Sequence, residues 1–326
     1  MKIGVVYNGC LEESDHANPH QRRIEKTATL IANIIQQTGH HCASLPVTSN
    51  LSSFLQQIEN FKPDLIFNLF TGEGYQQTFI PTLLEWLNIP YTGSDNLTHC
   101  LALNKPLTKK IFETEGVPTP RWRVIKWEDK TIPANFHFPL LVKPVKEGSS
   151  RGIKKENLIE NRKQLKKLVY QINKKWHQAT LVEDFIIGRE FTVGILGNEQ
   201  VIILPIMELN FMNINPKGKG FYSQEIKDED SGIEFICPAP LEDNQKKEIE
   251  KWSQVAYRAL GCRDYARIDI RMSPEGKINI LEVNSLPGLH PGYSLLPRIA
   301  EYAGISYSGL TTRIFDLARR RYRLVL

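Results

Sequence analysis

Two short apolar segments near the carboxyl end of the sequence constrain its fold more than any other feature. They span residues 267–270 and 281–284, and the turn between them contains the chain-breaking residues Pro274 and Gly276. Apolar and polar residues alternate in both segments, which is typical of β-strands that bury one face. The pattern therefore predicts a hairpin of two strands.

Four polar side chains converge across that predicted hairpin. Arg267 and Asp269 are two residues apart in the first strand, and Glu282 and Asn284 are two apart in the second, so each pair shares a face. Two carboxylates and an amide oxygen are hard ligands that suit Mg²⁺ holding the phosphates of a nucleotide. The alternative interpretation is a salt-bridged hairpin without a function.

The composition is that of an ordinary soluble globular protein. The chain has 326 residues, enough for two or three domains, and 24% of them are charged. Its net charge of +5 fits anionic small substrates as well as nucleic acid. We find no secretion signal and no run of ~18 apolar residues, and the five cysteines share no short spacing. We therefore expect a cytoplasmic protein with free thiols and no membrane partner.

Three domains are predicted from the order of the elements. Residues 1–95 alternate strand and helix and predict a small doubly wound α/β domain. Residues 96–182 predict a central α+β domain that begins with one helix over 98–115. Residues 183–326 predict a second α+β domain with the metal hairpin. A long polar loop over 213–232 is typical of a functional segment such as a lid.

Four further segments carry groups that suit a nucleotide. A glycine- and serine-rich turn at 147–152 follows a predicted strand that ends in Lys143, and such turns can direct N–H groups at phosphate. The linker 183–190 could expose backbone groups to an adenine edge and a carboxylate to ribose. Lys105 on a helix and Lys227 in the long loop add positive charge. Taken singly, each of these is also consistent with an ordinary loop or a solvated side chain.

In this order and spacing, the residues resemble the ATP-grasp superfamily and, within it, the D-alanine–D-alanine ligases. The match is close over residues 80–315 and holds in outline over the first 80. The resemblance implies an ATP-grasp fold of three domains, of the α/β and α+β classes. It also implies an enzyme in which ATP phosphorylates a carboxylate and an amine then displaces phosphate to form an amide. ATP and Mg²⁺, with Mn²⁺ possible, are the implied cofactors, and the implied partners are a small carboxylate, a small amine and a second copy of the chain, without nucleic acid.

The resemblance also implies a role for each matching residue. The ATP-binding residues would be Lys105, Lys143, Glu183, Phe185, Ile186, Glu190, Phe221, Lys227 and Leu281. The metal ligands would be Asp269, Glu282 and Asn284. The catalytic residues would be Arg267, Lys227, Gly288, and Ser149 and Ser150 of the loop that closes over the reacting groups. Ser294 and Leu295 would lie at the carboxylate of the second substrate.

The pocket for the first substrate departs from the family pattern. The ligases that join two D-alanines bind the ammonium of the first one with a glutamate on the first helix. Alignment on that helix places Arg22 there, with Arg23 beside it, and an arginine pair favours an anionic group on the acyl donor. The alternative is a shifted alignment in which Glu12, Glu13 or Glu25 serves instead.

Several functions are therefore open at this point. The first is a ligase that uses amino acids or a carboxylate other than D-alanine, and its nearest rival is a D-alanine–D-alanine ligase of cell-wall synthesis. A nucleotide-binding regulatory module without turnover and a phosphotransferase that forms no amide are the alternatives from other classes.

Overall fold

The computed structural model describes residues 1–9, 19–72, 74–126, 129, 136–147, 152–215, 218–223, 226 and 232–324. Five of the residues named above lie outside these ranges, namely Ser149, Ser150, Lys227, Glu12 and Glu13. Much of the predicted loop over 213–232 also lies outside them.

Helices and strands follow one another in a mixed α/β order. The helices are α1 (Pro19–Gln37), α2 (Leu51–Phe61), α3 (Phe79–Trp86), α4 (Asn96–Leu103), α5 (Lys105–Thr114), α6 (Arg162–Trp176), α7 (Asp243–Ala259), α8 (Leu295–Tyr302) and α9 (Tyr307–Arg321). The strands are β1 (Lys2–Asn8), β2 (His41–Val47), β3 (Leu65–Asn68), β4 (Trp122–Ile125), β5 (Leu140–Pro144), β6 (Leu158–Ile159), β7 (Thr180–Asp184), β8 (Arg189–Gly197), β9 (Val201–Ile203), β10 (Met207–Asn210), β11 (Glu234–Ile236), β12 (Tyr265–Met272) and β13 (Ile278–Asn284). No helix in the described ranges is long and apolar enough to cross a membrane.

The N-terminal sheet is parallel and has the order β2-β1-β3. Strand β2 was not predicted from the sequence, because its polar residues and Pro46 mask a short pattern in which Cys42, Leu45 and Val47 are buried. The proline is tolerated because β2 lies at the edge of the sheet, where a missing N–H breaks no ladder. The loops that follow β1 and β3 start at the same edge of this sheet, as expected for a doubly wound unit.

The central sheet is antiparallel, with the order β4-β7-β5-β6. Leu165, Val169 and Ile172 of α6 pack on it together with Val142 and Val182. These three helical residues follow the spacing of one helix face, so the basic residues of α6 are left on the solvated side. Strand β4 was not predicted from the sequence.

The C-terminal sheet has the order β11-β10-β8-β12-β13, and β9 pairs with β8. The predicted hairpin is confirmed as β12 and β13, in which Arg267 lies opposite Asn284 and Asp269 opposite Glu282. An irregularity in the register follows Asp269. The four side chains therefore share one face of the sheet, as alternation predicted.

The single helix predicted over 98–115 is wrong, because the chain forms α4 and α5 with a break at Asn104. Pro106 cannot donate an N–H and restricts the residue before it, so a continuous helix is disfavoured here. The Asn104 side chain accepts a hydrogen bond from the Leu107 N–H at 3.2 Å and starts α5. Lys105 thereby becomes the first residue of a new helix.

Two hydrophobic cores tie these sheets together. Ile31 of α1 and Phe315 of α9 share a core with Leu196 of β8, so the N-terminal and C-terminal sheets pack as neighbours. Phe112 of α5 packs with the buried side of β12 and β13. The domain boundaries at residues 95 and 182 stay a prediction.

Candidate active site

Two adjoining cavities lie among the N-terminal, central and C-terminal units. The larger has a volume of about 370 Å³ and the smaller about 100 Å³. Seven residues line both cavities, namely Tyr222, Arg267, Glu282, Asn284, Leu286, Pro287 and Gly288. The polar face of the β12–β13 hairpin therefore lies where the two cavities meet, and its groups can face both of them.

Asp269 is the centre of a hydrogen-bond network on the hairpin. Its Oδ1 accepts from Arg267 Nε at 2.9 Å and from Thr192 Oγ1 at 2.7 Å, and its Oδ2 accepts from Arg267 Nη2 and Asn284 Nδ2, both at 2.8 Å. Burial by itself raises the pKa of Asp269, but the Arg267 guanidinium outweighs it and lowers that pKa. The carboxylate is therefore ionised near neutral pH.

The donor set on this hairpin fits Mg²⁺. Asp269, Glu282 and Asn284 offer two carboxylates and an amide oxygen. Among the described residues, no group of three or more His, Cys, Asp or Glu is placed to hold a metal ion. All four acceptor positions of Asp269 are taken by the donors described above. Flipping the side-chain amide of Asn284 would free one acceptor position of Asp269. The amide oxygen of Asn284 would then be available to the same Mg²⁺ ion as the Asp269 carboxylate.

Three lysines and a glutamate form a second buried cluster. Glu183 pairs with Lys109 at 2.8 Å and with Lys143 at 2.5 Å, and Lys105 Nζ donates to the carbonyl of Glu147. Burial raises the pKa of Glu183, but the two ammonium groups outweigh it and lower that pKa to about 2. Lys109 was not predicted from the sequence, although its position one helical turn after Lys105 was a usable signal.

The smaller cavity brings together most of the residues expected to bind ATP. Its lining includes Lys143, Glu183, Phe185, Ile186, Glu190, Phe221 and Leu281. The rings of Phe185 and Phe221 meet edge to face with centroids 5.9 Å apart, which gives an apolar slot. Lys105 lines the larger cavity instead.

Two further residues of this region were missed by the sequence analysis. Thr192 lies opposite Asp269 in the register of β8 and β12, and Arg271 pairs with Glu190 at 2.8 Å. Burial raises the pKa of Glu190, and the attraction of Arg271 opposes that rise. Neither contact had a local signal, because the partners are 77 and 81 residues apart in the chain.

Arg23 lines the larger cavity, whereas Arg22 is exposed and absent from its lining. The Arg23 guanidinium lies over the Tyr293 ring, 4.2 Å from its centroid. Thr27 Oγ1 and His290 Nδ1 are 2.9 Å apart, which joins α1 to the loop before α8. The residues expected at the second substrate, Ser294 and Leu295, also line this cavity.

Among the described glycines, Gly288 is the one that lines both cavities. A Cβ atom added there would come within 2.8 Å of Ser294 Oγ, so any larger residue would have to displace that hydroxyl. The hydroxyl of Ser294 accepts from the His290 N–H at 3.1 Å and holds the loop closed. The Gly288 backbone can thus approach a reacting group.

Comparison with known proteins agrees with this fold. The model of the family described as D-ala D-ala ligase C-terminus matches residues 111–316. A D-alanine–D-alanine ligase of Aquifex aeolicus is 35% identical over 291 residues, which cover 89% of this chain and 93% of that protein. The uncharacterized protein y4sG of Sinorhizobium fredii is 33% identical over 346 residues, covering 99% and 98%. A crystal structure of D-alanine–D-alanine ligase from Bacillus anthracis has a TM-score of 0.76 at 25% identity and covers 99% of each chain.

Together, the fold and these relatives define an ATP-dependent, ADP-forming ligase that makes a carbon–nitrogen bond. The chain belongs to the D-alanine–D-alanine ligase family within the ATP-grasp superfamily. The resemblance read from the sequence is confirmed, and so is the predicted fold class.

Proposed function

We propose that this ligase activates an acyl donor that carries an anionic group beside Arg23 and joins it to an amino-acid-like amine. The single observation that carries the proposal is the position of Arg23 in the lining of the larger cavity. A buried or half-buried guanidinium in a binding cavity favours a carboxylate or phosphate and disfavours an ammonium group.

The charge distribution around Arg23 supports this choice. Burial lowers the pKa of His290, and the positive charges of Lys26 and Arg23 lower it further, so this imidazole is neutral near pH 7. Among the described residues that line the larger cavity, the carboxylates are Glu147 and Glu282. Glu147 accepts from Lys105 through its carbonyl, and Glu282 belongs to the metal hairpin, so neither is expected at the Arg23 end.

The residues at the junction of the cavities suit the two steps of such a ligase. In the first step a carboxylate oxygen of the donor attacks the γ-phosphorus of ATP and ADP leaves. Lys105 and Lys143 would hold the phosphates, and Mg²⁺ bound by the hairpin would offset their negative charge. In the second step the amine attacks the acyl carbon, phosphate leaves and the nitrogen loses a proton. Arg267 and the Gly288 N–H would stabilise the negative oxygen.

The rival function is the synthesis of D-alanyl-D-alanine. The names of several relatives favour it, including the Aquifex aeolicus ligase that is 35% identical to this chain. It requires a group other than Arg23 to bind the first ammonium. Glu25 is absent from the lining of either cavity, and Glu12 and Glu13 lie outside the described residues.

Product analysis separates these functions. The protein would be supplied with Mg·ATP and with the twenty L-amino acids, D-alanine and D-serine, singly and in pairs. ADP release would be followed and the products identified by mass spectrometry. We expect amide products in which the acyl donor carries a second anionic group, as aspartate and glutamate do. Efficient synthesis of D-alanyl-D-alanine alone would establish the rival, and ADP release without any amide would indicate a phosphotransferase.

Replacing Arg23 by glutamine tests the proposed contact directly. A charge-assisted hydrogen bond in a closed site contributes about 1.5–3 kcal/mol, so Arg23→Gln should raise the KM for the acyl donor roughly ten- to a hundredfold. The KM for ATP should change little, because most of the residues proposed to bind ATP line the smaller cavity, in which Arg23 takes no part. The matched control is Arg22→Gln, which removes the same charge from the adjacent, exposed position. Equal effects of both substitutions, or none from either, would reject the contact.

A further inference from the structure

Arg271 is a buried arginine at the wall of the smaller cavity that the proposed reaction does not use. It lies near the end of β12 and is 2% exposed. Its guanidinium lies 4.4 Å from the centroid of the Phe185 ring. A buried guanidinium is stable only when its donors are satisfied, so its partners show what it holds in place.

All five N–H groups of this guanidinium have an acceptor. Nε donates to Ile186 O at 2.7 Å, Nη1 to Glu190 Oε2 and to Gly220 O at 2.8 Å each, and Nη2 to Gly188 O at 3.0 Å and Gly218 O at 3.3 Å. Four of the five acceptors are backbone carbonyls of two segments far apart in sequence. One segment is the hinge 185–188 between β7 and β8, and the other is the strap, which we define as residues 218–223.

The hinge and the strap both line the smaller cavity and contact each other. Phe185 of the hinge meets Phe221 of the strap edge to face, and the Gly188 N–H donates to Gly218 O at 3.3 Å. The N–H of Tyr222 donates to the Glu190 carboxylate. Tyr222 itself lines both cavities, so the position of the strap affects the whole site.

We propose that Arg271 is a positioning residue that fixes the hinge, the strap and the Glu190 carboxylate in the arrangement that a nucleotide needs. This inference rests on the proposed assignment of the smaller cavity to ATP. A planar fork with five donors can reach all of these acceptors at once. A lysine could keep the charge next to Glu190, but its single ammonium has three donors and cannot serve both segments.

Arg271→Lys is therefore the informative substitution, and the chain offers a close control in Arg189→Lys. Arg189 is the residue before Glu190 and also uses a fork, with Nε and Nη2 on Glu208 at 2.8 and 2.6 Å and Nη2 on Pro240 O at 3.0 Å. It is absent from the linings of the two cavities. In both variants a lysine replaces an arginine that pairs with a glutamate of the same sheet.

Two measurements use the full-length protein and no amino-acid substrate. The first is calorimetric titration with the magnesium complex of a non-hydrolysable ATP analogue. The second is amide hydrogen exchange of residues 218–223 without nucleotide. We expect Arg271→Lys to weaken binding of the analogue at least tenfold and to speed exchange in the strap at least tenfold. Arg189→Lys should change the affinity and the exchange rate less than threefold each. We expect this difference between the variants even when they unfold at similar temperatures.

The inference would be overturned if Arg271→Lys bound the analogue within twofold of the wild type, or if Arg189→Lys lost as much affinity. Arg271→Met provides the same comparison if the lysine variant does not fold. Failure of the wild-type protein to bind the analogue would count against the assignment of the cavity to ATP. In that case, unchanged exchange of the strap in Arg271→Lys would still reject the positioning role.

Discussion

Glu183 is stabilised as an ion only because two lysines approach it from different elements. Lys109 reaches it from α5 and Lys143 from β5, and both lysines are buried. If Lys143 turns to a phosphate when nucleotide binds, Lys109 remains as the partner of Glu183. The cluster can thus supply a positive charge to a ligand without leaving a buried carboxylate unpaired, which would be strongly unfavourable.

His99 predicts a dependence of stability on pH. It is fully buried on α4, its Nδ1 lies 2.7 Å from Ser285 Oγ, and burial lowers its pKa to about 4 from an ordinary value of 6.5. Because the unfolded chain binds the proton more readily, this imidazole contributes stability that is complete above pH 6.5. The contribution is lost as the pH falls towards 4 and amounts to about 3 kcal/mol over the full window.

The test is the free energy of unfolding between pH 7 and pH 4.5, measured by chemical denaturation. Over this pH range, the free energy of unfolding of His99→Gln should fall by about 2 kcal/mol less than that of the wild type. His41→Gln, at an exposed position, should keep the wild-type slope. If His99→Gln kept the wild-type dependence on pH, the pKa of this imidazole would be the same in the folded and unfolded states.

The break between α4 and α5 is the element that places Lys105 at the larger cavity. Asn104 ends α4 through its N–H, starts α5 through its Oδ1 and donates from Nδ2 to the Tyr75 hydroxyl at 2.9 Å. The Lys105 N–H then donates to Val145 O on the central unit. One residue therefore sets both the helix start and the position of a proposed phosphate ligand.

Asn104→Ala should lower the free energy of unfolding by about 1–2 kcal/mol, because it removes an N-cap and a side-chain hydrogen bond. It should also weaken binding of Mg·ATP severalfold by loosening Lys105. Asn50→Ala removes the N-cap of α2, where the side chain accepts from Ser53 N at 3.1 Å. The control should lose about 1 kcal/mol of stability and no ATP affinity. Wild-type ATP affinity in Asn104→Ala would contradict this role.

At the scale of the whole molecule, Asp264 connects the N-terminal unit, the C-terminal sheet and the last helix. Its carboxylate accepts from the Gly93 N–H at 2.7 Å, from Asn198 Nδ2 at 3.0 Å and from Arg321 Nη2 at 2.8 Å. Asp264 is fully buried, and Arg321 also donates to Tyr91 O at 2.9 Å. This ion pair therefore adds to the hydrophobic core in fixing the relative position of the units that enclose the larger cavity.

Arg321→Met should destabilise the protein by about 3 kcal/mol, because it leaves the buried Asp264 carboxylate without its cation. The comparison is Arg121→Met, which breaks a pair with Asp184 at 2.7 Å in which the arginine side chain is 74% exposed. An exposed pair of this kind contributes about 0–1 kcal/mol. Denaturation curves of both variants measure the difference, and a loss below about 1 kcal/mol in Arg321→Met would contradict the assignment.

Local patterns in the sequence were enough to predict the hairpin, the shared face of its four polar residues and the fold class. Strand alternation and turn residues act over a few neighbours, so the sequence alone predicted that Arg267 and Asp269 converge with Glu282 and Asn284 across the hairpin. The same local patterns failed at β2, at β4 and at the helix over 98–115. There an edge position or a proline mattered more than periodicity.

Only the tertiary structure decided which of the two arginines faces the cavity and which residues hold the site in place. Arg22 and Arg23 are adjacent arginines with the same side-chain chemistry, so the sequence does not distinguish them. The packing of α1 against the loop before α8 leaves Arg22 exposed and brings Arg23 over Tyr293. Thr192 and Arg271 acquire their partners because β8 lies beside β12. Burial makes an unpaired charge costly, so the partners of a buried charge depend on how the sheets pack and not on sequence spacing.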